Sequence, residues 1–179
     1  IQYNTTQHNT THCKPRQHNN TRNKTQCKPP QNNTTHNKTT LHKATQQSLP
    51  MNDKGWPYTK VLELAKQAND KNFKMQLAGF YQADNPQIVC YKNKDFYNYH
   101  LDIGNNAPFR KLTFIIQLSD TKDYDGGHIE LMNMNTDNKL FREKGQIIIF
   151  PSFVPWRITK VTKGIRNCIE GWLHGPSYV

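Results

Sequence analysis

QIIIFPSFVPWRITKVTKGIRNCIEGWLH, residues 146–174, decides how the rest of the chain is read. Three runs, 146–150, 156–161 and 165–174, carry the pattern: 147–150 is continuously apolar, and apolar residues recur among polar ones through 156–161 and 165–174. A proline-bounded link at 151–155 and the Thr162-Lys163-Gly164 turn separate them. That spacing predicts three consecutive strands with short connections. Upstream the same period gives candidate strands at 74–82, 87–92, 96–103, 111–119, 128–133 and 139–142. Turn signals punctuate most of them: DNP at 84–86, NNAP at 105–108, DGG at 125–127 and EKG at 143–145. One segment departs from the pattern. WPYTKVLELAKQAN, residues 56–69, spaces Val61, Leu62, Leu64, Ala65 and Ala68 along one helical face, with Pro57 suited to a first turn. Eight or nine short strands after one helix predict a mostly antiparallel sandwich or barrel.

The chain has 179 residues, a mean hydropathy of -0.92 and 34% apolar residues, values that average two unlike halves. Residues 1–50 hold no Asp or Glu, seven Lys or Arg, and 31 residues that are Asn, Thr, Gln or His. Such a segment has little to bury against its ordering entropy, and it is expected to be a disordered low-complexity tail. Within it, residues 11–24 and 25–38 repeat with nine of 14 positions identical. The repeat has no apolar positions to stack, and its Cys13 and Cys27 lack paired-ligand spacing with His8, His12 and His18. Its Asn-x-Thr triplets are what such a composition generates. Globular composition begins at Met51, where a natural product is expected to start.

Residues 51–179 carry 17 Lys or Arg against 13 Asp or Glu, so most of the net charge of +11 lies in the tail. A basic tract without interleaved aromatics argues weakly for nucleic acid, and no such partner is expected. No run is long enough for a membrane span and no signal-peptide core follows the N-terminus, so a soluble, cytoplasmic protein is expected. Cys90 and Cys168 fall in predicted strands without a CxxC pair, which suits a reducing compartment.

In NYHLDIG, His100 and Asp102 stand two apart on a predicted strand, where alternation aims both at one face. An imidazole and a carboxylate so placed supply two corners of the facial triad that holds Fe(II) with open positions. Alone, the HxD pattern is a weak signal. Following it come RKLTFIIQLSD, YDGGHIELM, KGQIIIFPSFVP and RITKVTKGIRNCIEGWLHGP. In that order and spacing, residues 87–176 resemble the prolyl 4-hydroxylase-like branch of the Fe(II)- and 2-oxoglutarate-dependent oxygenases, particularly the small bacterial and phage-type hydroxylases.

The resemblance implies a double-stranded β-helix, or jelly-roll, with a supporting N-terminal helix. It implies Fe(II), 2-oxoglutarate and accessory ascorbate as cofactors, and hydroxylation of a C–H bond in a prolyl or other side chain of a peptide, or in a small molecule. His100 and Asp102 match the catalytic metal ligands. Arg166 matches the arginine that pairs with the far carboxylate of 2-oxoglutarate, and Tyr91 the tyrosine that supports it. Trp156 stands where the family has its second histidine. An indole N–H donates and offers no lone pair in the ring plane, so it cannot ligate iron. The same resemblance thus admits an impaired relative that binds 2-oxoglutarate or a peptide without holding iron. His128 is a remote substitute ligand, and His174 is too far along its strand.

Overall fold

The computed structural model describes residues 40–51, 55–132 and 141–178. The repeat, its cysteines and the basic tract at 1–39 lie outside the described residues. Two short strands come first, β1 (His42–Lys43) and β2 (Thr45–Ser48), then the helix α1 (Tyr58–Ala68). Next are β3 (Gln87–Tyr91), β4 (Phe96–His100), β5 (Arg110–Gln117), β6 (Tyr124–Gly126) and β7 (Ile129–Leu131). The stretch quoted at the outset supplies β8 (Ile147–Pro151), β9 (Trp156–Ile158), β10 (Val161–Gly164) and β11 (Arg166–His174).

The strands form a five-stranded sheet in the order β2-β3-β11-β5-β8, a four-stranded sheet β1-β4-β9-β7, and a β10-β6 pair. All described pairings are antiparallel. This is a jelly-roll: β8 and β9 are consecutive yet lie in different sheets, which closes the chain around an interior.

The continuous apolar run of β5 is explained by burial on both faces. Leu112, Phe114 and Ile116 point outward, where Val61 and Ala65 of α1 cover them together with Ile169 and Leu173 of β11. Ile115 points inward, into a core shared with Val89, Tyr91, Phe150, Trp156, Ile158 and Cys168. The apolar stripe of α1 therefore serves as a lid on the outer face of one sheet, leaving the barrel interior to the strands.

Several expectations need correction. The single strand expected at 156–161 is split between β9 and β10, and the expected Thr162-Lys163-Gly164 turn lies within β10. Residues 74–82 form no strand; only an isolated bridge joins Gly79 to His174. Their apolar residues Met75, Leu77 and Phe80 instead pack under α1 against Leu112 and Leu173. The strand expected at 96–103 stops at His100, before Asp102. Residues 42–48, assigned by composition to the tail, extend both sheets: β1 pairs with β4 and β2 with β3. Ladder hydrogen bonds use the backbone alone, so TQQS can add an exposed edge strand without any apolar pattern. Of the strand expected at 139–142, Phe141 and Arg142 lie in no strand and the rest lies outside the described residues.

Candidate active site

His100 and Asp102 meet inside the barrel, although not by strand alternation. The chain leaves the ladder after His100, and the Asp102 backbone N–H donates to the Ser152 carbonyl at 3.1 Å. That bend turns the carboxylate inward, where the residue is only 5% exposed. His100 Nδ1 lies 2.8 Å from the Asn98 carbonyl, a contact that requires a proton on Nδ1. In the neutral ring the lone pair then falls on Nε2. This Nε2 is buried, has no hydrogen-bond partner, and faces Asp102 Oδ1 at 3.6 Å. Two acceptors aimed at one point form an arrangement that a cation satisfies.

The other carboxylate oxygen is taken. Asp102 Oδ2 accepts from Thr113 Oγ1 at 2.7 Å and from Trp156 Nε1 at 2.7 Å. In the β4–β9 ladder Trp156 stands directly opposite His100, the place from which a histidine would complete the triad. The indole is 1% exposed and packs against Phe150 and Tyr97, while the His100 ring lies between Tyr97 at 3.5 Å and Trp156 at 4.5 Å. The donor set therefore fits a cation held by two protein groups and does not offer three. Among the described residues no three His, Cys, Asp or Glu side chains gather into a metal-binding group.

A second buried cluster adjoins this pair. Along β11, Arg166, Cys168 and Glu170 alternate toward the interior, and Tyr91 of β3 stands opposite Arg166 in the ladder. Arg166 Nη1 donates to Cys168 Sγ at 3.3 Å, and Cys168 Sγ to Glu170 Oε1 at 3.4 Å. The Tyr91 hydroxyl also donates to Glu170 Oε1, at 2.8 Å. Arg166 Nη2 is buried without a partner. Burial works against the Arg166 charge, but Cys168, Tyr91 and Glu170 around it outweigh that and raise its already high pKa. Burial pushes the Glu170 carboxyl, the Cys168 thiol and the Tyr91 phenol upward. Gly127, from the DGG turn, lies against this arginine at φ +60; a Cβ there would come within 3.0 Å of Arg166 Cδ.

Sequence reasoning did not single out Glu170. Its strand parity with Arg166, four residues away on the same face, was the signal that could have found it.

A third polar group ties the sheet ends to the His100 and Asp102 pair. Arg110 grips Asp84 through Nε at 2.6 Å and Nη2 at 2.7 Å, donates to the Asp102 carbonyl at 3.3 Å, and stacks on Trp172 at 3.3 Å. His174 Nε2 lies 2.9 Å from the same Asp84 carboxylate. Burial raises the Asp84 pKa, and the hydrogen bonds and charges of His174 and Arg110 overcome it and bring it down to about 2. His174 is thus committed here, away from the His100 pair. The His128 ring meets Arg142, with Nδ1 3.1 Å from Nη1, and is not part of the His100 and Asp102 site.

Residues 86–174 match the model of the 2OG-Fe(II) oxygenase superfamily. The chain is 34% identical over 91 residues to a PKHD-type hydroxylase of Prochlorococcus marinus (strain MIT 9515), covering 48% of this chain and 40% of that protein. It is 33% identical over 84 residues to a PKHD-type hydroxylase of Synechococcus sp. (strain CC9311), covering 46% and 37%. The chain thus spans about two fifths of the length of these relatives. A prolyl-4-hydroxylase of Pseudomonas putida superposes with a TM-score of 0.60 at 16% identity, covering 78% of this chain and 76% of that one. A prolyl hydroxylase of Trichoplax adhaerens, solved with a hypoxia inducible factor peptide fragment, gives 0.60 at 18% identity, covering 75% and 64%. These likenesses agree with the jelly-roll: the fold is prolyl 4-hydroxylase-like, and the domain at residues 86–174 belongs to the 2OG-Fe(II) oxygenase superfamily.

Proposed function

We propose that the domain is a 2-oxoglutarate-dependent hydroxylase acting on a C–H bond of a peptide side chain, prolyl or similar, with an iron centre of two protein ligands. His100 Nε2 and Asp102 Oδ1 would hold Fe(II), and Arg166 Nη2 would receive the far carboxylate of 2-oxoglutarate near Tyr91. The observation that carries the reading is the pair of orphans, His100 Nε2 and Arg166 Nη2, both buried in one barrel. A buried polar group left unmatched costs about 1–3 kcal/mol, so two of them in one interior point to ligands supplied from outside the chain. The peptide in the Trichoplax complex and the hydroxylase names of the relatives motivate the substrate class.

Bound iron with 2-oxoglutarate would supply the oxygen-activating chemistry of this family. The chain's own part is positional. The Asn98 carbonyl fixes the His100 tautomer, Thr113 orients Asp102, and Arg110 pins the Asp102 backbone. Tyr97, Phe150 and Trp156 keep water from the pair. A guanidinium suits a carboxylate because its planar fork presents parallel donors.

A second reading, a relative that keeps the barrel and binds without iron, is favoured by one observation: the Trp156 N–H already neutralises part of Asp102. Succinate formation from 2-oxoglutarate, with Fe(II) and ascorbate under oxygen, separates the two. The two-ligand centre predicts slow, iron-dependent succinate in the native protein and faster release in Trp156→His. Succinate from Trp156→His alone would establish the second reading.

A further inference from the structure

Glu170 is an acid in the part of the interior where the proposed co-substrate needs to place a carboxylate. It is 4% exposed and lies on the inward face of β11 with Arg166 and Cys168. A tyrosine hydroxyl has one proton to give, and Tyr91 gives it to Glu170 Oε1 at 2.8 Å. The Cys168 thiol, which itself accepts from Arg166, donates to the same oxygen. The guanidinium and the carboxylate are thus joined through Cys168, and Arg166 Nη2 is left without a partner for a ligand.

We propose that Glu170 is a resident carboxylate, a specificity-determining residue that occupies the Tyr91 side of the co-substrate anchor and lowers the pocket's affinity for diacids. An incoming far carboxylate finds the Tyr91 donor engaged and meets a like charge in a water-poor interior. Like charges within about 4–6 Å disfavour one another by one to several powers of ten in an ionisation equilibrium, and the same penalty applies to binding. Glu170 also explains how a fully buried arginine persists without its ligand: its charge is answered from within the strand. A co-substrate therefore binds at Arg166 Nη2 while Glu170 keeps the Tyr91 donor. The proposal rests on Arg166 being the co-substrate anchor.

The test is binding, measured without metal or oxygen by titration calorimetry on the native chain, Glu170→Gln and Tyr91→Phe. The probes are 2-oxoglutarate, glutarate as a diacid without the oxo group, and 2-oxobutyrate as a monoacid lacking the far carboxylate. Glutamine keeps the shape and an acceptor for Tyr91 while removing the charge. The expected result is at least about 10-fold tighter binding of both diacids by Glu170→Gln, with the monoacid unchanged. Tyr91→Phe, which should fold even if Glu170→Gln does not, is expected to leave diacid affinity within about 2-fold, because that hydroxyl serves Glu170. Equal or weaker diacid binding by Glu170→Gln, or a 10-fold loss in Tyr91→Phe, overturns the assignment and leaves Arg166 as the anchor. Diacid binding by none of the three proteins removes the anchor itself, and the assignment with it.

Discussion

Replacing Trp156 by phenylalanine isolates what the indole N–H does at the centre of the barrel. Two contributions are lost. The first is the 2.7 Å bond from Nε1 to Asp102 Oδ2, a bond to a charged group worth about 1.5–3 kcal/mol. The second is the volume of the smaller ring at a site only 1% exposed, where a methyl-sized void costs about 1 kcal/mol. The sum is about 2.5–4 kcal/mol, which for a domain of this size lowers the unfolding midpoint by roughly 5–16 °C. Trp156→His loses at least as much packing but gains a lone pair opposite His100, so its behaviour should diverge from phenylalanine when metal is present. Anaerobic Fe(II) at 100 times its dissociation constant returns about 2.7 kcal/mol to Trp156→His and much less to Trp156→Phe. The assay is thermal or urea unfolding of the three proteins with and without Fe(II). A Trp156→Phe protein within about 1 kcal/mol of native stability would refute the role given to the indole–carboxylate bond. Equal rescue of both variants by iron would refute the ligand position.

Two further outcomes follow from other parts of the barrel. Asp84 has a folded pKa of about 2 against an ordinary 3.8, so its partnership with Arg110 and His174 contributes about 2 kcal/mol that is complete above pH about 4. That stability disappears as pH falls from about 4 to 2, and Asp84→Asn should show a shallower loss over the same window in acid unfolding curves. Gly127→Ala forces a left-handed φ of +60 on alanine and puts its Cβ within 3.0 Å of both Arg166 and Val161. A cost of about 1–3 kcal/mol is expected by denaturant unfolding, with weaker 2-oxoglutarate binding because Arg166 must shift.

Much of the architecture was legible because jelly-roll strands carry period-two patterns. The runs that became β3, β5, β8 and β11 announced themselves by alternation or by the continuous apolar stretch of a doubly covered strand. The segment 74–82 misled for the same reason: its alternating Met75 and Leu77, with Phe80 beyond them, are buried by α1 rather than by a ladder. Residues 42–48 gave no sign, since an exposed edge strand is held by backbone bonds that any side chain permits. At the site, HLD suggested convergence correctly but by the wrong geometry, as the bend after His100 rather than strand pleating turns Asp102 inward. Trp156 read as a missing ligand; only its position showed that the N–H is used, on the very carboxylate proposed to hold iron. Glu170 lay hidden in an apolar stretch, because a buried acid is legible only beside the arginine and tyrosine that make it tolerable.

The central claim is that His100 and Asp102 hold iron without a third protein ligand. It is tested most directly by anaerobic titration of Fe(II) in the presence of 2-oxoglutarate, following the visible metal-to-ligand charge-transfer band. The account predicts a band in the native protein that is lost in His100→Ala, with an iron affinity at least about 10-fold weaker than in Trp156→His. No band in the native protein at any iron concentration, or a band that survives His100→Ala, would contradict it.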